Sequence, residues 1–539
     1  MTGDARPCSR ANETMAAAPE QTAAAIETHA APTNKWLIAV AVMLATVMEV
    51  LDTTIANVSL LHIRGSLSAD VDEAAWVLTS YIVATGIVIP LTGWCSAYFG
   101  RKRFFSFCIL LFVGSSLAAG AAPNLHILVL FRVLQGFGGG AMMPLSQAIL
   151  METFPPEEQA TAMAVWGLGM MLAPVMGPTL GGWITDNYSW RWIFYINVPS
   201  GLAAFVMVTI FVHDPAYIRR GIKRIDWWGL GYLILGIATL QIMLDRGERL
   251  DWFNSGVIIL MLVIGVVALV FFTIRELHTR EPIVDLHVLN NRDFAIGTVI
   301  TTIVMFAMYS TFVLIPLFCQ QISGYTPVIA GEVLSIQSVG TFLSILMAGR
   351  LFNKVDPRML VALGCLAAGI GTMYMANFYA QIDFWNIALP GLLRGVGSGL
   401  IFIPLTTLSL SAVPREQMGN ASGLFNMVRT VGGSVGIAIL IAMLSINSQV
   451  HQNYLAGHVD PFRMSALAHM KGTAGLGASI LQQGPTPFVG MIYGEVQRQA
   501  SVLSFLDDFR MLSWIFFLIA PAVFLVRRPK GRAAPAAAH

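Results

Sequence analysis

The sequence predicts an all-α polytopic membrane protein with fourteen transmembrane helices, built as two six-helix pseudo-repeat bundles around a two-helix central insert. Three observations predict it. Hydrophobic residues make up 56% of the 539 and charged residues 12%, about half the charged share of an ordinary soluble chain. Apolar stretches of roughly twenty residues recur from end to end, each long enough to cross a bilayer core at about 1.5 Å per residue. Lys and Arg gather in the loops between alternate stretches, the pattern expected of cytoplasmic loops.

Taken in order, residues 1–33 are polar and rich in Ala and Thr, without the apolar core of a signal peptide, and are expected to form a disordered cytoplasmic tail. An N-terminal six-helix bundle is expected over 34–212, with spans near 36–62, 75–96, 103–122, 125–152, 160–184 and 192–212. The linker 213–292 opens with the polar HDPAYIRRGIKRID and carries two extra spans near 227–245 and 255–273. A C-terminal bundle is expected over 293–528, with spans near 294–318, 327–348, 359–378, 385–411, 419–445 and 509–527; residues 529–539 form a second cytoplasmic tail. Within that bundle, 447–508 reads as an extracytoplasmic segment too polar to span, partly amphipathic around Val496–Phe505. With this count the basic clusters at Arg101-Lys102-Arg103, Arg219–Arg224, Arg275–Arg292, Arg350–Arg358, Arg415 and Arg527–Arg532 all fall on one side, and both termini are expected inside.

Glu49 and Asp52 lie inside the first apolar run, three residues apart and so on one helix face. A carboxylate at membrane depth is costly unless it faces a polar cavity or holds a proton, and two side by side cannot both ionise comfortably. That is how a proton-binding site is built. Arg132, inside the fourth span, needs a carboxylate or backbone carbonyls as partner. Gln135 and Gln147 on the same span are expected either to line the same cavity or to join helices. Of the other charges, Arg394 and Arg429 are intramembrane cations, with Arg429 expected to snorkel to the cytoplasmic end; Glu332 reads as interfacial and Asp245 as a loop charge.

Two stretches echo each other across the halves. GWCSAYFGRKR (93–103) matches GRLFNKVDPRM (349–359), and FRVLQGFGGGAMMPL (131–145) matches LLRGVGSGLIFIPLT (392–406), aligning Arg132 with Arg394. Internal repeats about a central site are the usual plan of secondary transporters. No G-x-x-x-x-G-K-[ST] and no H-E-x-x-H occurs, and GGSVG (432–436) lies in an apolar run, so the chain does not read as an enzyme. The five cysteines contain no C-x-x-C, and neither a metal site nor a disulfide framework is indicated. A non-transporting membrane receptor is the reading from another class; the intramembrane acid pair argues against it.

Four motifs then carry a family resemblance. LDTTIANVSL (51–60), RVLQGFGGG (132–140), GLGMMLAPVMGPTLGGW (167–183) and SWRWIFYINVPSG (189–201) resemble the first-, fourth- and fifth-helix motifs and the following loop of the fourteen-helix drug:proton antiporter family of the major facilitator superfamily. LQIMLDRGERLDWF (240–253) is similar to the branch whose members are inner-membrane subunits of tripartite multidrug exporters. The resemblance runs from about residue 36 to 528. Two positions depart from the pattern: Ala97 replaces an acidic residue of the first basic loop, and Glu49 replaces a neutral polar one.

The resemblance implies proton-coupled export of hydrophobic or cationic drugs by alternating access across a bacterial inner membrane, with no cofactor beyond the proton gradient and no nucleic-acid partner. It also implies a periplasmic membrane fusion (adaptor) protein and an outer-membrane channel as partners. Export of one dedicated metabolite, such as a siderophore or fatty acid, is the alternative. Proton coupling falls to Asp52, Glu49 and Arg132, and substrate binding to Asp52, Asn57, Gln135, Gln147, Met308, Tyr309 and Phe312. Gating falls to Gly167, Pro174, Gly177, Pro178, Gly181 and Gly182, and the cytoplasmic loop motif to Gly93, Gly100, Arg101 and Lys102.

Overall fold

The computed structural model describes residues 34–214, 226–279, 282–352, 354–458 and 485–527, and among them every regular element is helical. The first half contains α1 (Lys35–Val58), the short α2 (Leu60–Ser66), α3 (Val71–Phe99), α4 (Arg101–Gly120), α5 (Leu125–Gly139), α6 (Met142–Thr153), α7 (Pro156–Asn187), α8 (Trp192–Tyr195) and α9 (Asn197–Phe211). The insert is α10 (Trp227–Arg246) and α11 (Gly256–His278). The second half contains α12 (Arg292–Gln321), α13 (Pro327–Leu351), α14 (Pro357–Met375), α15 (Phe384–Ser411), α16 (Met418–Gly457) and α17 (Pro485–Ala522).

Helices form here because a backbone in lipid must satisfy its own polar groups. Their ends are marked by polar caps. Asn34, Asn124, Asp226, Asn291, Thr326 and Asp356 each accept a hydrogen bond from a backbone N–H of the first turn they precede, and Pro occupies the first helical position of α7, α13 and α14.

Thirteen helical segments of the described residues are long and apolar enough to cross a membrane, and the bent α7 makes a fourteenth crossing. Its two parts, Pro156–Pro174 and Thr179–Asn187, meet at 40°. Pro174 ends the first part and Pro178 falls in the break, and neither residue supplies an N–H to the helical ladder. The fourth crossing is likewise two pieces, α5 and α6, parted at Gly140 and Ala141.

The segment 447–508 differs from the sequence expectation. Its flanks continue the membrane helices: α16 runs to Gly457 and α17 starts at Pro485. At 40 and 38 residues these helices are each about 60 Å long, twice the hydrocarbon thickness. Polar side chains need not end a helix once it has left the bilayer, which is why a hydropathy reading stopped it early. Asp245 is also corrected, from loop to the last turn of α10, where it accepts a 2.5 Å hydrogen bond from Thr79 of α3. The expected tails 1–33 and 529–539 lie outside the described residues.

The inserted pair sits at the periphery, and α11 is apolar nearly all round, with Leu260, Val263, Val267, Val270 and Phe271 exposed to where lipid would lie. Their mutual contact is close: a side chain at Gly236 would begin 2.7 Å from Leu269. α10 touches both halves, Ile237 meeting Gly86 of α3 and Gln241 donating to Ser434 of α16 at 3.1 Å.

The two bundles meet through the echoed segments. Gly93 of α3 faces Asn420 of α16, where an added Cβ would lie 2.6 Å from the Asn420 Cα. In the mirrored contact Gly349 of α13 faces Ala164 of α7, at 2.7 Å. Each half thus places its second span against the fifth span of the other. Further contacts are Gly167 against Ile403, Trp166 stacked on Phe402 at 6.4 Å, and Asn426 donating to Gln147 at 2.5 Å. Several of these, at Gly93, Gly349, Phe402, Asn420 and Asn426, lie in the helix halves that end on basic loops, and their partners on α6 and α7 lie at the same end of the bundle.

Candidate functional site

The site lies in the last third of α1, where Asp52 is 2% exposed and its salt-bridge partner Arg132, on α5, is fully buried. Arg132 Nη1 donates to Asp52 Oδ2 at 2.6 Å. The other carboxylate oxygen, Oδ1, accepts from Gln135 Nε2 at 2.9 Å and from Asn197 Nδ2 at 2.6 Å. Arg132 is held in turn: Nε donates to the Val77 carbonyl at 3.0 Å and Nη1 to Gln135 Oε1 at 2.8 Å. Its guanidinium also lies 4.2 Å from the centre of the Tyr81 ring, a favourable place for a cation. Asn197 donates to Ser116 at 3.1 Å, and Ser116 donates to the Phe194 carbonyl at 2.8 Å. Two crossings, the fourth and the sixth, therefore supply the donors to one carboxylate, and Val77 and Ser116 of the second and third brace those donors.

Glu49 lies one turn along the same face and is 8% exposed. Tyr81 donates to its Oε1 at a long 3.3 Å, while Oε2 is buried without a hydrogen-bond partner among the described residues. The two acids are thus unequal. Asp52 is saturated with donors, as an ionised carboxylate requires. Glu49 has one weak donor and an oxygen to spare.

Across the interface, Arg429 of α16 is 3% exposed. It does not snorkel, as the sequence suggested, because its turn of α16 is packed against α6 and not at a lipid boundary. Its Nη2 points at Met143 Sδ and its guanidinium lies 5.6 Å from the Phe402 ring, while Nε and Nη1 have no hydrogen-bond partner among the described residues. Glu49 and Arg429 lie within electrostatic reach of each other but do not pair. Arg394, the counterpart of Arg132, is buried with Nε and Nη1 unbonded, and no ion pair reaches it among the described residues. The second bundle keeps the cation of the repeat without the acid.

The expected residues divide into those gathered here and those placed elsewhere. Asp52, Glu49, Arg132 and Gln135 come together. Gln147 does not join them: it lies three turns beyond Gln135, about 18 Å along the crossing, and accepts from Asn426 as a bridge between bundles. Asn57 is exposed at the end of α1, five residues beyond Asp52. Tyr309 and Phe312 are partly exposed on α12, with Tyr309 packed on Gly433, and Met308 is half-buried.

In α7, Gly177 and Gly181 let the helix approach α1, where side chains would meet Thr54 and Ile55. Gly182 has open space around it. Gly100 caps α4 at φ 86°, Arg101 pairs with buried Glu152, and Lys102 N donates to Asp214 at 2.7 Å.

Sequence reasoning missed Asn197, Tyr81 and Ser116. Asn197 carried a signal, an amide inside the apolar run IFYINVPSG; Tyr81 and Ser116 are ordinary residues of apolar helices that only packing makes functional neighbours.

Residues 42–437 match the profile of the Major Facilitator Superfamily. Among characterised relatives, the chain is 37% identical over 498 residues to the multidrug export protein EmrB of Escherichia coli (strain K12), covering 92% of this chain and 96% of that one. It is 38% identical over 491 residues to the fatty acid resistance protein FarB of Neisseria gonorrhoeae, covering 90% and 95%. Its fold is similar to the crystal structure of the human organic anion transporter MFSD10 (TETRAN), with a TM-score of 0.60 over 91% of this chain and 99% of that one at 11% identity. Two six-helix halves joined through mirrored contacts, a buried acid–guanidinium pair inside the first half and these matches lead to one assignment: the chain belongs to the major facilitator superfamily.

Proposed function

We propose that this protein is a proton-coupled antiporter that exports hydrophobic and amphipathic, often cationic, drugs across a bacterial inner membrane. The observation that carries this reading is the unequal acid pair: Asp52, neutralised by Arg132, and Glu49 with one oxygen unbonded, both buried beside the interface between bundles. In this reading the two carboxyls hold one proton between them. A cationic substrate entering near Glu49 displaces that proton, and the Asp52–Arg132 pair changes partners as the bundles rock. Proton and drug then compete for one site, the condition for exchange in place of leak. The similarity to EmrB supports drugs as substrates.

The positive-inside rule places the basic loops in the cytoplasm. The interface is closed at that end, so the conformation faces outward. A side chain at position 93 has no room beside Asn420. Gly93→Val is therefore expected to shift the population toward the inward-facing form, read as increased thiol labelling of a cysteine replacing the buried Ile403, a smaller side chain at the same contact; unchanged labelling would contradict this closure. The extensions of α16 and α17 beyond the bilayer offer the adaptor protein a contact, with an outer-membrane channel completing the path.

The test is proton release from detergent-purified protein on addition of tetraphenylphosphonium. Loss of release in Asp52→Asn and in Glu49→Gln is expected if the pair shares the exchanged proton. Full release in both, with binding intact, would remove the first-helix site from the cycle.

A second reading is favoured by the FarB similarity together with the unpaired Arg429 and Arg394: a substrate with a carboxylate, such as a fatty acid, bound at a cation. Competition between tetraphenylphosphonium and oleate separates the two, since one broad cavity gives mutual displacement and a dedicated fatty-acid carrier gives none.

A further inference from the structure

Asp508 is the buried acid for which this cycle has no task. It lies in α17 with its side chain fully buried, and neither carboxyl oxygen has a hydrogen-bond partner among the described residues. Its surroundings are apolar. Phe505 and Phe509, one turn before it and next to it, pack edge-on against Phe318 of α12 at 5.5 and 6.3 Å. Ser504, one turn away on the same face, donates to the Leu444 carbonyl of α16 at 2.7 Å.

Three helices pack on α17, and their titratable side chains are engaged elsewhere. On α16, His451 binds the half-exposed Asp507 at 2.7 Å, and Arg510 of α17 holds the other Asp507 oxygen at 3.4 Å; Arg429 is at the bundle interface, and Tyr454 and His458 are exposed. On α14, Arg358 pairs with Asp356 at the opposite end of the helix, Tyr374 is exposed and Cys365 is buried. On α12, Arg292 and Asp293 lie at the far end, Tyr309 faces Gly433 and Cys319 is buried. No hydrogen bond or ion pair joins any of them to Asp508. A carboxylate stripped of water and without a donor costs several kcal/mol, far more than its neutral acid.

We propose that Asp508 is a second proton-binding carboxyl, in the C-terminal bundle, which holds a proton in the outward-facing form and releases it to water as the bundles rock. The O–H bond of the acid breaks, the proton leaves with solvent, and the carboxylate remains until the protein returns. The link is α16. One end of that helix makes the interface contacts at Asn420 and Asn426, and the other packs beside Asp508 through Leu444. A helix that must shift when the interface opens cannot leave its far end undisturbed. The half-exposed His451–Asp507 pair marks where water is nearest. This inference rests on the proton-coupled reading and adds a second proton to each cycle.

The experiment is an infrared difference spectrum of the full-length protein in nanodiscs, with and without tetraphenylphosphonium, beside a dye measurement of protons released per cation bound. Wild type is expected to lose a protonated-carboxyl C=O band that is missing from the Asp508→Asn difference spectrum, with proton release in the variant lower by one. An Asp508→Asn protein that keeps the whole band and the full release overturns the inference and leaves the parent reading standing. Absence of release in wild type overturns the parent reading instead. Should Asp508→Asn fail to fold, Asp508→Glu carries the comparison: a displaced band supports position 508, and an unmoved one overturns it.

Discussion

Asp52→Asn is expected to leave binding of a lipophilic cation measurable while ending uphill transport. In proteoliposomes with an imposed proton gradient, the variant should equilibrate substrate and not accumulate it. The size of the loss follows from the driving force. Exchange of one proton for one monovalent cation moves no net charge, so the pH difference is the drive, and each pH unit, about 1.4 kcal/mol, sustains a substrate gradient of about tenfold. A variant that cannot exchange a proton forfeits that whole factor for each proton lost. An Asn at 52 can still accept from Gln135 and Asn197, which bond Asp52 at 2.9 and 2.6 Å, so the site should persist and the defect should be one of coupling. Substrate accumulation at wild-type levels in Asp52→Asn would exclude this acid from coupling.

The second large effect is on stability. Arg132→Met removes the guanidinium that bonds Asp52, the Val77 carbonyl and Gln135 from one buried position. Removing one partner of a buried pair leaves the other charge uncompensated, a cost of about 3–5 kcal/mol. The detergent-solubilised variant is therefore expected to melt well below wild type. The double variant Asp52→Asn, Arg132→Met should recover part of the loss, since it leaves no stranded charge. Additive losses in the double variant would mean that the pair does not stabilise the fold as a unit. Gln147→Ala, by contrast, removes a single amide bond to Asn426 and should cost about 1 kcal/mol.

Much of this protein is determined by its sequence. Fourteen crossings follow from apolar runs of sufficient length, because a lipid environment leaves the backbone no alternative to the helix. The two halves follow from matched Gly and Arg positions, and the acid pair from its cost in lipid. Glu49, Asp52, Arg132 and Gln135 could each be named because a polar group in an apolar run stands out against its neighbours. Tertiary structure decided everything that depends on which helix faces which. Asn197 reaches Asp52 from 145 residues away, and Gln147 is engaged by Asn426 of α16 and not by the acid pair. Arg429 is sealed into the bundle interface, and Asp508 lies inside a helix that its polar neighbours had hidden. Composition and period report where a residue sits along its own helix axis; they do not report the rotation of that helix against its partners, and hydrogen-bond partnership in a helical bundle is set by that rotation.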